Sequence, residues 1–122
     1  MREVKFRQKL DSGGFHYWGF TRYGQFVGPM THNGTKEAHE NSQEYTGLHD
    51  NNGKEIYEGD IIQRYQDEIF EVRWEELQSG FGVYIGVLKP RSHWRELYKF
   101  LDFEIIGNIY ENPELLSVKS NV

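Results

Sequence analysis

Apolar and polar residues alternate along the middle of the chain with the period of a β-strand. Two successive stretches place an apolar residue at every second position: Phe70, Val72 and Trp74 in the first, and Phe81, Val83, Ile85 and Val87 in the second. Charged residues occupy the intervening positions of the first stretch, and Gly82 and Gly86 two of the three in the second, as expected for strands with one buried face. A Gln-Ser-Gly turn separates the two stretches. The pattern therefore predicts a β-hairpin whose apolar faces point inward.

The period changes to that of a helix after this hairpin. Ser92 is a residue type that caps helices, and apolar residues follow it at i, i+3, i+4 and i+7: Trp94, Leu97, Tyr98 and Leu101. This spacing predicts an inserted helix of about three turns. Near the end of the chain, Asn112, Pro113 and Glu114 supply a cap, a proline at the first helical position and an early carboxylate. They predict a short C-terminal helix.

The remaining patterns complete a fold that is mainly β, with minor α. Residues 1–30 predict an aromatic β segment, in which Val4 and Phe6 mark a strand and the later aromatic residues a hairpin. Residues 31–44 read as a polar loop, and residues 45–122 as the barrel core. The expected architecture is one domain, a small antiparallel barrel of SH3-like or similar type with one inserted helix and a short C-terminal helix.

Composition narrows the function classes. The chain has 122 residues, no cysteine and a formal charge of −5. Disulfides, thiolate catalysis and cysteine-bound metal are excluded, and no apolar stretch approaches the roughly 20 residues of a membrane helix. The first residues alternate charged with apolar types and so do not resemble a secretory signal, which predicts a cytoplasmic protein without membrane contact.

The charge is distributed unevenly along the chain. Residues 1–36 carry six basic and two acidic residues, a formal charge of +4, so the remaining residues sum to −9. Opposite poles of this kind favour docking to a partner or to a second copy. The alternative is that the cationic segment lies against the acidic remainder of its own fold.

Three segments carry a resemblance to a known family. They are the opening MREVKFR at 1–7, YTGL at 45–48 with DNNGKEIYEGDII at 50–62, and EIIGNIYENPELL at 104–116. Together they resemble the YopX-like family of phage and prophage proteins. The resemblance implies a small, mostly β protein encoded by a bacteriophage or prophage and present in the host bacterial cytoplasm. It implies no established biochemical activity.

Clustered carboxylates in the central segment suggest two kinds of chemistry. Asp50, Glu55, Glu58 and Asp60 lie within eleven residues, and such clusters can hold Mg²⁺ or Ca²⁺. Their spacing is not that of a calcium loop. The alternative is structural, with Asp50 and Asp60 hydrogen-bonded to the backbone of their own turns. No metal or other cofactor is predicted.

A metal-dependent nuclease is the enzyme hypothesis. Asp60 followed by Glu71 and Arg73 on the next strand resembles the metal-binding residues of restriction-type nucleases, which carry a lysine at the last position. An arginine stays protonated and cannot act as a base there. This hypothesis requires the three side chains to converge in one cleft. No catalytic residue is predicted.

Binding is the function that the sequence favours. The predicted contact residues lie in the aromatic front segment and in the central turn: Tyr17, Trp18, Arg22, Tyr23, Asp50, Glu55, Tyr57, Glu58 and Asp60. Exposed aromatic residues are typical of protein interfaces, so we expect a noncatalytic phage accessory protein that binds a host or phage protein, or a second copy. Because the aromatic residues coincide with the cationic segment, a small barrel that binds single-stranded nucleic acid is the alternative. The same aromatic residues could instead form the core of the front segment.

Overall fold

The computed structural model describes residues 3–20, 23–29, 42–64, 68–85, 93–97 and 102–116. These ranges contain eleven β-strands, and a single turn of helix lies at residues 114–116. The strands are β1 (Val4–Lys9), β2 (Phe15–Phe20), β3 (Phe26–Val27), β4 (Ser42–His49), β5 (Glu55–Tyr57), β6 (Asp60–Arg64), β7 (Glu68–Glu71), β8 (Arg73–Glu75), β9 (Gly80–Ile85), β10 (His93–Glu96) and β11 (Glu104–Asn108). No helix in these ranges has the length and apolar character needed to cross a bilayer.

The strands form three antiparallel sheets. A five-stranded sheet, the front sheet, has the order β3-β2-β1-β4-β5, and two three-stranded sheets have the orders β10-β9-β8 and β11-β6-β7. The prediction of a mainly β, antiparallel fold is confirmed. Across the described ranges the strands do not close into one barrel, so the SH3-like detail is not confirmed. The loop predicted at 31–44 ends earlier than expected, since β4 begins at Ser42, and residues 31–41 lie outside the described ranges.

The strand predicted over Phe70, Val72 and Trp74 bends at Val72, and its two halves, β7 and β8, belong to different sheets. Backbone hydrogen bonds join Val72 N–H to the Asp60 carbonyl and Gly59 N–H to the Val72 carbonyl. The residues before the bend pair with β6, and those after it pair with β9. Phe70 and Val72 are buried as predicted, but the prediction for Trp74 is wrong: its side chain is 44% exposed and packs edge-on against Phe81. Strands that switch sheets commonly do so at such bends.

The core lies between the sheets. Its buried members are Ile56, Ile62, Phe70, Val72, Val83, Leu97 and Phe103. Full burial of an aliphatic or aromatic side chain contributes about 1.5–3 kcal/mol, so this cluster is the main source of stability in a chain without disulfides. The inward orientation predicted for Val83 is confirmed, whereas the side chain of Ile85 lies outside what the structure describes.

The inserted helix predicted from Ser92 is not formed by residues 93–96, which are strand β10. β10 pairs with β9, and Gly82 faces Glu96 in the register. A Cβ atom at Gly82 would lie 2.3 Å from the Arg95 carbonyl oxygen and 2.5 Å from the Trp94 ring. Only glycine therefore permits this close packing. A short apolar segment can form either a helix or a strand, and here the contact with β9 makes residues 93–96 a strand. Tyr98 and Leu101 lie outside the described ranges.

The prediction of a short C-terminal helix is confirmed at residues 114–116. The carbonyl groups of Asn112 and Pro113 accept hydrogen bonds from Leu115 and Leu116. The Asn112 side chain does not cap this turn. It accepts a hydrogen bond from Asn108 N–H at 3.2 Å and so ties the turn to β11.

Candidate functional site

Arg7 is the buried centre of the contact between the front sheet and the rest of the protein. Its guanidinium lies 2.8 Å from a carboxylate oxygen of Asp60 and donates a 3.1 Å hydrogen bond to the Gln43 side chain. The rings of Phe15 and Tyr57 lie 4.4 and 4.9 Å from the same guanidinium. Burial raises the pKa of Asp60, and Arg7 and the Tyr57 N–H oppose that shift. Arg7 and Asp60 therefore hold two sheets together.

Two cations of the first segment, Lys5 and Arg7, are paired with carboxylates within the fold. Lys5, on the same face of β1 as Arg7, forms an ion pair with Glu55 on β5. The uneven charge allowed either docking to a partner or contact with the acidic part of the same fold. Lys5 and Arg7 agree with contact within the fold, because both lie against carboxylates of their own chain. Their charges are consequently not displayed to a polyanion.

A first cleft, of about 520 Å³, brings four of the predicted site residues together: Tyr17, Glu55, Tyr57 and Asp60. Tyr17 and Tyr57 meet edge-on with ring centroids 5.6 Å apart, and the Tyr57 hydroxyl donates to Glu55 at 3.1 Å. Burial, followed by the nearby Glu55 carboxylate, strongly raises the pKa of Tyr57. Since these groups satisfy one another, the first cleft serves mainly to join the sheets.

A second cleft, of about 350 Å³, is acidic and aromatic. Its lining includes Glu58, Glu71 and Glu75 together with the exposed rings of Trp74 and Tyr110. Burial, and then the neighbouring carboxylates of Glu44 and Glu71, raise the pKa of Glu58, while a hydrogen bond to the Glu44 backbone opposes the shift. This cleft presents a negative, π-rich wall to the exterior.

The convergence that the nuclease hypothesis requires is not observed. Asp60 lines the first cleft, whereas Glu71 and Arg73 line the second, where they pair with each other at 3.4 Å. Throughout the described ranges, no group of three or more histidine, aspartate and glutamate side chains is arranged to hold a metal ion. The three residues therefore do not form one site.

The front sheet carries an apolar row on the face opposite Arg7. Val4 pairs with Phe20, and Phe20 pairs with Phe26, so the three side chains line up across β1, β2 and β3. They are 42%, 47% and 58% exposed. On the next row of the same face, Phe6 and Trp18 stack with ring centroids 4.5 Å apart. We call these five residues the aromatic face.

The structure divides the predicted aromatic contact residues. Trp18 belongs to the aromatic face, Tyr17 points to the first cleft, and Tyr23 is 84% exposed in the turn after β2. Arg22 lies outside the described ranges. The sequence prediction missed Phe20 and Phe26, although the alternation along β2 already separates Tyr17 from Trp18 and Phe20.

Asp50 has a structural role, because its carboxylate accepts hydrogen bonds from the backbone of its own turn. One carboxylate oxygen accepts hydrogen bonds from Asn52 and Lys54 N–H, and the other accepts one from Ile105 N–H, each at 2.9 Å. Burial acts to raise the pKa of Asp50, but these three hydrogen bonds outweigh it and hold the pKa below its usual range. Asp50 thus links the β4–β5 turn to β11.

We expect Asp50→Asn to lower the free energy of unfolding at pH 7 by about 2 kcal/mol, because one buried N–H loses its acceptor. The pKa of Asp50 is lowered in the folded state, so its contribution is present above about pH 4 and is lost as pH falls through the folded value. Urea unfolding at pH 7 and pH 3 should show the difference between the two proteins shrinking at the lower pH. Asp102→Asn, at an exposed carboxylate, is the control. An equal difference at both pH values would contradict the prediction.

Comparison with known proteins adds one finding. A family model described as YopX protein matches residues 25–117, which is most of the chain. The match includes β3, the central turn and the residues named above in the second cleft, and it begins after β1 and β2. No curated protein matches the chain.

Proposed function

Because the chain belongs to the YopX family, we propose that it is a noncatalytic phage or prophage accessory protein that binds another protein through its aromatic face. It acts in the cytoplasm of the bacterial host, and its partner is a host or phage protein. A second copy of the chain is the alternative partner.

The single observation that carries this proposal is the exposed row of Val4, Phe20 and Phe26. Large apolar side chains aligned across three strands form a continuous patch, whereas exposed apolar residues on monomeric proteins are usually scattered. Aromatic residues are also enriched at the centres of protein interfaces. Phe20 and Phe26 pack together with ring centroids 5.0 Å apart, which presents them as a preformed anchor.

Protein binding is favoured over the binding of single-stranded nucleic acid by the position of the cations. A nucleic-acid platform needs aromatic rings flanked by basic side chains on the same surface. Here Lys5 and Arg7 project from the opposite face of β1, and each is paired with a carboxylate. The described neighbour of Phe6 on β4 is Glu44, which repels phosphate.

Photo-crosslinking tests the proposal. A photoreactive phenylalanine analogue at position 20 should capture a specific protein in infected cells, and the additional substitution Phe26→Ser should abolish that capture. The same analogue at Leu77, which is 93% exposed in the β8–β9 turn, is the matched control and should capture nothing specific. Capture that is unchanged by Phe26→Ser, or that is equal at both positions, would contradict the proposal.

A titration separates the alternatives. Wild-type protein should show no affinity for a single-stranded oligonucleotide even at low salt, where electrostatic binding is strongest. Binding that depends on Phe20 would favour the nucleic-acid function instead.

Light scattering of the pure protein tests whether a second copy is the partner. Self-association through the aromatic face should be reversed by Phe20→Ser with Phe26→Ser.

A further inference from the structure

We infer that the partner contributes a basic, partly apolar segment, whose apolar side chains cover the aromatic face and whose lysine or arginine side chains enter the second cleft. This inference rests on the proposed function and specifies the chemistry of the partner. Three features of the described residues support it: the continuity of the two surfaces, their charge, and the rings that line the cleft.

The aromatic face and the second cleft are continuous. The Trp18 indole N–H donates a 3.0 Å hydrogen bond to the hydroxyl of Ser42, and Ser42 lines the second cleft. Glu44 is the cross-strand neighbour of Phe6 on the aromatic face, and its carbonyl accepts a hydrogen bond from Glu58 N–H. One ligand can therefore span from Phe20 to Glu58 without crossing another element that the structure describes.

The charge along this path has one dominant sign. The second cleft is lined by the carboxylates of Glu58, Glu71 and Glu75, with that of Glu44 nearby. Arg73 is the one cation among its described lining residues, and it lies 3.4 Å from Glu71. The excess of negative charge is complementary to a basic segment and repels an acidic one.

The rings in the second cleft add selectivity for a cationic side chain. Trp74 and Tyr110 are 44% and 45% exposed, so part of each side chain is accessible from outside. Lysine and arginine bind the faces of tryptophan and tyrosine through cation–π attraction. A guanidinium can also donate to two carboxylate oxygens at once, which makes arginine the better fit.

A different protein is a better source of this segment than a second copy. Three basic side chains of the described chain are already engaged: Lys5 by Glu55, Arg7 by Asp60 and Arg64 by Glu68. Residues 37–122, which include every residue lining the second cleft, carry an excess of acidic residues. The second clefts of two copies therefore repel each other. The partner is therefore expected to be a protein with net positive charge at its contact segment.

Calorimetric titration with three synthetic peptides tests the inference. The peptides have equal length and identical leucine and tryptophan positions, and their remaining variable positions are all arginine, all glutamine or all glutamate. The arginine peptide should bind on the order of tenfold more tightly than the glutamine peptide, and the glutamate peptide should bind most weakly. This advantage should shrink with added salt.

Variants identify the surface. Glu58→Gln with Glu75→Gln should remove most of the advantage of the arginine peptide and leave the glutamine peptide unchanged. Glu104→Gln, at an exposed carboxylate outside both clefts, is the control and should bind like wild type. Phe20→Ser with Phe26→Ser should weaken the arginine and glutamine peptides alike.

Each outcome either supports the inference or overturns it. Equal affinity for the arginine and glutamine peptides, with both lost in the Phe20 and Phe26 variant, would overturn the basic partner and leave the protein-binding function standing. Tight arginine-peptide binding that is insensitive to Phe20 and Phe26 would contradict both. Absence of binding by all three peptides would overturn the inference alone, because the crosslinking test of the proposed function does not use peptides.

Discussion

Replacing Arg7 with methionine is expected to lower the free energy of unfolding by about 3–5 kcal/mol, the usual cost of removing one member of a buried ion pair. Arg7 and Asp60 are 5% and 2% exposed, so Asp60 would retain a buried charge without its counter-ion. The Gln43 side chain and the Glu58 carbonyl would also lose a donor. Urea unfolding at neutral pH measures the loss. We expect the front sheet to separate first, because Arg7 joins it to β6.

A double-mutant cycle isolates the ion pair. Adding Asp60→Asn to Arg7→Met should cost less than the sum of the two single changes, with a coupling of about 1–3 kcal/mol, as is typical of contacting residues. Arg73→Met is the matched control, because its pair with Glu71 is exposed and should contribute less than about 1 kcal/mol. Additive effects of Arg7 and Asp60, or equal costs at Arg7 and Arg73, would contradict this account.

Gly19→Ala is expected to cost about 3 kcal/mol, from a steric clash and from backbone strain together. The φ angle of Gly19 is +121°, and a Cβ atom would lie 2.2 Å from the Val4 carbonyl oxygen. That oxygen belongs to the neighbouring strand and cannot move without breaking the β1–β2 pairing. Thermal unfolding followed by circular dichroism measures the effect. Since Gly19 lies between Trp18 and Phe20, the substitution should also disturb the aromatic face and reduce binding of the arginine peptide.

Gly14→Ala separates strain from steric clash. Gly14 also has a positive φ, of +76°, but a Cβ atom there would meet no heavy atom within 4 Å. It should therefore cost only about 1–2 kcal/mol, the penalty for a left-handed conformation. A loss at Gly14 as large as that at Gly19 would show that backbone strain alone accounts for the effect at Gly19.

Local patterns predicted several elements correctly. The turn predicted at 78–80 falls at the connection of β8 to β9, which spans residues 76–79 and ends at Ser79 with a positive φ of 52°. The turn roles of Asp50 and Asp60 were also recognisable, since their carboxylates bond to backbone N–H groups two to four residues away. Such interactions are local, so the residues themselves contain the information.

Distant contacts account for the errors. Trp94 and Leu97 have helical spacing, but Gly82 on β9 accommodates the backbone of β10 and draws this segment into a sheet. Trp74 alternates correctly with Val72, yet the bend that joins Val72 to Asp60 turns Trp74 outward. Gly82 lies outside the segment at 94–97, and Asp60 lies outside the segment at 70–74. The spacing of apolar residues within each segment therefore cannot reveal the contact that changes its conformation.

The amino-acid sequence by itself determined the strand-rich character, the hairpin turns, the family and the absence of cysteine chemistry. These follow from periodicity, turn residues and motifs, which act over a few neighbouring residues. Only the tertiary structure decided that Arg7 pairs with Asp60, that Glu71 and Arg73 face a different cleft, and that Phe20 and Phe26 align beside Trp18. Strand pairing determines these contacts. The register between segments far apart in the chain decides which side chains lie together on one face of a sheet.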